Sequence, residues 1–145
     1  MSAVQVRSYL MKARDFLRGM NLPEDLAESE CRHSSALLAI HSAISYSDAL
    51  RIGLGEETAE LAASDHQAAA GKLEKLLNAR KYKSTQGIKQ FSKLVGQKTR
   101  LAYRPDAFTE DDVKVMMDRA RRFSVWADMT GSHLEIEGWR DDEFD

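Results

Sequence analysis

Apolar residues recur at helical spacing along almost the whole chain, with little between them that would stop a helix. Val6, Leu10, Ala13, Leu17 and Met20 follow one another at three- and four-residue intervals, with Phe16 beside them. That spacing marks one face of an α-helix. Only two prolines and eight glycines punctuate 145 residues rich in Ala, Leu, Lys and Glu, a composition that favours helix throughout. No stretch alternates apolar and polar residues as a half-buried strand does.

Breaks at 19–23, 53–64, 80–85 and 104–109 divide the pattern into five helices. The first spans about 3–19, with Ser2 to cap it and Gly19 near its end. Pro23 suits the first turn of the second, where Glu24 and Asp25 oppose the helix dipole. That helix runs to about Ile52, with Leu37, Ile40, Ile44 and Ser47 as its stripe and Ala36, Ala39 and Ala43 keeping its surface low. The stretch 55–63 reads as a loop or a short helix. Ser64 or Asp65 caps a third helix carrying Ala69, Leu73, Leu76 and Leu77. Ile88, Phe91, Leu94, Val95 and Leu101 mark the fourth, ended near Pro105. Thr109-Glu110-Asp111-Asp112 resembles a capping box, opening a fifth with Val113, Met116, Met117, Ala120, Phe123 and Trp126 inward. The expectation is an all-α, antiparallel up-and-down bundle over residues 1–128. An acidic, loose tail over 129–145 follows, which Trp139 and Phe144 could dock.

With 43% hydrophobic residues, the chain can bury the core of one domain. No apolar run is long enough to cross a bilayer, and the N-terminus lacks the pattern of a signal peptide. A cytoplasmic protein that does not enter membranes is expected. Cys31 alone builds neither an intramolecular disulfide nor a zinc site. The net charge of −2 conceals segregation. Residues 23–65 hold nine acids and two bases, 72–104 hold ten bases and one acid, and 129–145 hold six acids and one base. Either a basic surface meets an anionic ligand, or acidic and basic helices lie side by side.

Four histidines invite a metal site, yet His33, His41, His66 and His133 form no ligand motif. His33 and His41 stand about 12 Å apart along a helix, too far to share a metal. No metal or cofactor is expected: glycines form no phosphate-cradling loop and GxSxG is absent. His41, Ser45 and Asp48 share one helical face, where a carboxylate could raise the imidazole's pKa. They could equally satisfy one another at a helix interface. Lys89, Lys93 and Lys98, with Arg100 and Arg104 beyond, suit a phosphate backbone. Tyr82 and Tyr103 could stack on bases. The competing reading of these lysines is an ordinary solvated face.

Four stretches carry a resemblance to a known family. SYLMKARDFL at 8–17 looks like the first helix of HEPN (higher eukaryotes and prokaryotes nucleotide-binding) domains. AIHSAISYSDAL at 39–50 with SDHQAAAGKLEKL at 64–76 resembles their middle region. KLVGQKTRLAYRPDAFTEDDVKVMMDRARRFSVWA at 93–127 resembles their closing basic helix, turn and final amphipathic helix. The order of these pieces, more than any one of them, makes the likeness.

The resemblance implies a helical bundle, commonly a homodimer, with a polar cleft near the dimer interface. Many relatives are ribonucleases in toxin–antitoxin, defence or RNA-processing systems, and some work with a nucleotidyltransferase partner. The nuclease members carry an Arg followed after four to six residues by His. Here no Arg has a His at that distance, and Tyr103 stands near the expected position. A tyrosine with pKa about 10 is a poor proton carrier at neutral pH. The chain is therefore expected to be a nucleotide- or RNA-binding or interaction module without nuclease activity. Its binding residues are Lys89, Lys93, Lys98, Arg100 and Tyr103. The alternative is a metal-independent ribonuclease using His41 or His66, with Asp48 orienting the histidine and Lys98 or Arg100 stabilising the phosphorane.

Overall fold

Helix-favouring composition and amphipathic spacing give, in the computed structural model, seven helices among the described residues, which are 2–23, 29–63, 66–104 and 108–140. They are α1 (Ser2–Met20), α2 (Ser29–Gly53), α3 (Thr58–Ala63), α4 (His66–Ala79), α5 (Gln86–Gly96), α6 (Lys98–Tyr103) and α7 (Glu110–His133). The described residues contain no strand, and the fold is an all-α helical bundle. No helix is long and apolar enough to cross a membrane among those residues.

The count differs from five for two reasons. The stretch that could have been loop forms the one-turn-and-a-half helix α3. The expected fourth helix is two, because the ladder is interrupted at Gln97, whose N–H turns back to the Leu94 and Val95 carbonyls. Ser2 is the first residue of α1 rather than the residue before it. Glu24, Asp25, Ser64, Asp65, Pro105 and Phe144 lie outside the described residues, as do the roles expected for them.

α2 is the shaft of the bundle and α1 its main partner. Ser35 donates to the Met20 carbonyl at 2.9 Å and Ser42 to the Ala13 carbonyl at 2.8 Å, both buried. Sequence numbers rise along one helix as they fall along the other, so α1 and α2 run antiparallel. The expected one-sided stripe on α2 needs correction. Ile40, Ile44 and Ser47 are buried, but so are Ala36, Ala39, Ala43, Tyr46, Ala49 and Leu50. Leu37 is exposed. A helix wrapped by neighbours buries most of its circumference, and the small alanines are used inside this chain.

Three helices end in the same way. After α2, α4 and α7 the chain enters a left-handed residue, respectively Gly55 (φ 106), Lys81 (φ 58) and Glu135 (φ 52). Each time the following N–H reaches back five residues: Glu56 to Arg51, Tyr82 to Leu77, and Ile136 to Gly131, at 3.0 Å in every case. These are Schellman closures, which satisfy terminal carbonyls. At the other end of α7 the expected capping box forms: Asp112 N–H donates to Thr109 Oγ1 at 3.1 Å and Thr109 N–H to Asp112 Oδ2 at 3.0 Å.

The boundary expected at residue 128 falls inside α7, and the segment after that helix is docked rather than loose as far as residue 140. Trp139 is only 2% exposed, and Ile136 is buried with it. Gly131 and Gly53 leave the room: a Cβ on either would fall inside the Trp139 ring or the Ile136 side chain. Trp139 Nε1 donates to Asp128 Oδ1 at 3.2 Å, so the indole is buried with its polar atom satisfied.

Candidate nucleic-acid interface

The basic helices are held from below by aromatic packing. Ile88, Phe91, Leu94 and Val95 of α5 are buried. Phe91 stacks on Phe123 of α7 at 5.1 Å, and Phe123 in turn on Trp126 at 5.6 Å. Gly87 allows close approach, since a Cβ there would sit within the Trp126 ring. Trp126 Nε1 donates to the Ser84 carbonyl at 3.0 Å, fixing the turn before α5. With one face so anchored, Lys89 and Lys93 are left exposed on the other.

Those two lysines line one groove. Together with Glu74 of α4 and Thr85, Ile88 and Ser92, they border a cavity of about 380 Å³. The remaining candidates stand elsewhere, because the expected continuous basic stripe is broken at Gln97. Beyond that break, buried Leu101 anchors α6, Lys98 is half-buried, and Arg100 is exposed. Tyr103 is 82% exposed. The Arg100 guanidinium carbon lies 4.7 Å from the Phe108 ring centroid, and Arg100 borders a second, smaller cleft between α6 and α7. The surface thus offers two cation-lined hollows on successive helices, with an exposed aromatic ring on the second.

The α2 candidates have different surroundings. His41 is half-buried, its ring 5.6 Å from that of Phe16 on α1. Lys12 Nζ lies 5.9 Å from the same Phe16 ring. Ser45 is buried, and Asp48 half-buried. Burial pushes the Asp48 carboxyl up to about 6; the positive charges of Arg51 and Lys12 resist the rise, and Glu56 adds to it. Its proton therefore exchanges nearer neutrality than an ordinary carboxylate's. His66 opens α4, but its side chain is outside the described residues. His133 is exposed at the end of α7, its ring 5.6 Å from Tyr82. Among the described residues no group of three His, Cys, Asp or Glu is placed to hold a metal.

Sequence reading passed over two ion pairs, one at the end of a helix and one between helices. Arg51 in the last turn of α2 is 1% exposed, and it donates from Nε and Nη2 to the two Glu56 oxygens at 2.6 and 2.5 Å. Those hydrogen bonds hold the Glu56 carboxyl below its usual range. Arg14 and Asp128 form a second pair at 3.4 Å beside Tyr46. Burial and the Asp128 charge raise the Tyr46 phenol to about 12, against the opposing effect of Arg14. An Arg closing an apolar helix, five residues before a Glu, was the available signal for the first pair. No family model, curated protein or solved structure matches the chain.

Proposed function

We propose that this chain is a HEPN-like module that binds RNA or nucleotides through α5 and α6 and does not cleave them. The observation carrying the reading is the display of Lys89, Lys93, Arg100 and Tyr103 toward solvent from helices whose other faces are locked to the core. Cations fixed on a rigid support attract phosphates at little ordering cost, and an exposed ring adds base stacking. The segregation of ten bases against one acid over 72–104 supplies a surrounding field of the same sign.

The module acts as a homodimer, with RNA the favoured ligand, in a toxin–antitoxin or defence setting alongside a nucleotidyltransferase-type partner. These points rest on the family resemblance. The alanines of α2 lend no support to a dimer seam, being buried within the protomer. One observation favours the ribonuclease reading: Asp48, seven residues from His41 on the same helix, has a carboxyl raised to about 6, a range useful for proton transfer.

The test measures anisotropy of a labelled single-stranded RNA against the parent, Lys93→Glu/Lys98→Glu, and a control, Lys114→Glu/Arg122→Glu, with the same charge change on α7. The α5–α6 variant should lose at least about tenfold in affinity and bind with a flatter salt dependence. The control should lose far less. Equal losses in the two would refute the assignment of the surface. RNA cleavage persisting in EDTA and abolished by His41→Ala would replace the binding reading with the nuclease one.

A further inference from the structure

We propose that the groove between α4 and α5 is a guanine-reading subsite, in which Lys89 and Lys93 take the two phosphates flanking one nucleotide and Glu74 reads its base. The subsite deepens the RNA-binding reading and rests on it only for the strand that carries the base.

Both walls of the groove follow from helical register. On α4, Leu73 and Leu77 are fully buried, which leaves Glu74 exposed between them. On α5, Ile88 is buried while Lys89 and Lys93 are exposed. The turn joining the two helices is pinned twice: Tyr82 N–H reaches back to the Leu77 carbonyl at 3.0 Å, and Trp126 Nε1 donates to the Ser84 carbonyl at 3.0 Å. The groove is therefore shaped before a ligand arrives. Glu74, Ile88, Lys89 and Lys93 all border its cavity of about 380 Å³. None of the described ion pairs joins Glu74 to either lysine.

Spacing and donor pattern then select the ligand. Lys89 and Lys93 stand four residues apart, about 6 Å along the helix axis, which matches the separation of successive phosphates in an extended strand. As point charges they suit that backbone but carry no base preference. Glu74, across the groove, supplies one. A carboxylate offers only acceptors and is best met by two parallel donors. Guanine alone among the RNA bases presents two adjacent donors on its pairing edge, the ring N1–H and the exocyclic amino group. Adenine and cytosine set their amino group beside an acceptor nitrogen, and uracil flanks its N–H with carbonyls, so each turns an acceptor toward the carboxylate. The cavity volume falls within the roughly 300–1,000 Å³ of small-ligand sites, and Ile88 gives the base an apolar floor.

The full chain is titrated, with anisotropy as the readout, against labelled oligouridine strands carrying one central guanosine, inosine, adenosine or uridine. In parallel, guanosine 3′,5′-bisphosphate is added while backbone amide resonances are followed by NMR. The parent should bind the guanosine strand about tenfold more tightly than the adenosine or uridine strand, as expected for a charge-assisted contact. Inosine, which keeps the N1–H and lacks the amino group, should fall between. Glu74→Gln should erase the preference. Because it also removes a negative charge facing the phosphates, it should bind the uridine strand as tightly as the parent does, or up to about threefold more tightly. A merely structural role for Glu74 would instead lower affinity for every strand alike. Equal affinity of the parent for the guanosine and adenosine strands, or a guanosine preference that survives Glu74→Gln, would overturn the subsite and leave RNA binding intact. Absence of RNA binding, with bisphosphate shifts that Glu74→Gln abolishes, would overturn the RNA reading and leave the subsite standing. Absence of both RNA binding and bisphosphate shifts would overturn both.

Discussion

α2 and the α5–α6 pair both mix apolar with polar or charged residues, and they use them in opposite ways. Along α2 the polar groups turn inward. Ser35 and Ser42 donate to carbonyls of α1, Arg51 is buried on Glu56, and Asp48 is half-buried with a carboxyl raised to about 6. On α5 the division is clean: Ile88, Phe91, Leu94 and Val95 are inside, while Lys89 and Lys93 are outside. A polar residue in an apolar run can be a structural tie inside a central helix. A cation opposite an apolar face is free to meet a ligand. The first kind of residue should govern stability, and the second should govern binding.

The sharpest break of this contrast is Glu56→Ala. It removes the carboxylate that both Nε and Nη2 of a 1%-exposed arginine grip and should cost about 3–5 kcal/mol in urea unfolding. A loss below about 1 kcal/mol would mean the pair holds nothing together. Asp48→Asn should act in the opposite direction. The folded carboxyl titrates at about 6, above its ordinary 3.8, so the folded state prefers the protonated form. Its contribution is fully present below about pH 4 and is lost as pH rises through about 6. The Asn variant should therefore match the parent near pH 4 and exceed it by on the order of 2 kcal/mol at pH 7.5. An equal advantage at both pH values would remove burial of charge as the cause.

A smaller gain is expected from Lys81→Gly, since Lys81 closes α4 at φ 58. Relief of the left-handed strain, less the extra freedom of the unfolded chain, should add about 0.5–1 kcal/mol in the same assay. Smallest of all is the stability effect of Lys89→Glu/Lys93→Glu, within about 0.5 kcal/mol for exposed positions. A large destabilisation there would move these lysines into the structural class and weaken the comparison itself.

What could be read from residues alone follows the same division. The face of α5 and the capping box of α7 were legible because amphipathic spacing and Thr109–Asp112 are local signals. The break at Gln97 was not, since Leu94 and Leu101 keep helical spacing across it. The closures at Lys81 and Glu135 carry no glycine to announce them. Trp139 announced that the segment after α7 could dock, but the room that Gly131 makes for its ring is a tertiary contact that no local signal carries. For the candidate interface, residue types were legible but their grouping was not. Lys89 and Lys93 line one hollow, while Arg100 lines another together with Arg119.

The most direct test of the central claim is the salt dependence of affinity for a single-stranded RNA between 50 and 200 mM, compared between the parent and a variant reversing Lys89, Lys93 and Arg100. If these cations neutralise phosphates, log K for the parent should fall linearly with log salt at a slope of about −2 to −3, corresponding to roughly three or four contacts. The variant's slope should approach zero while its urea midpoint stays close to the parent's. A parent slope indistinguishable from zero, or an unchanged slope in the variant, would contradict the claim.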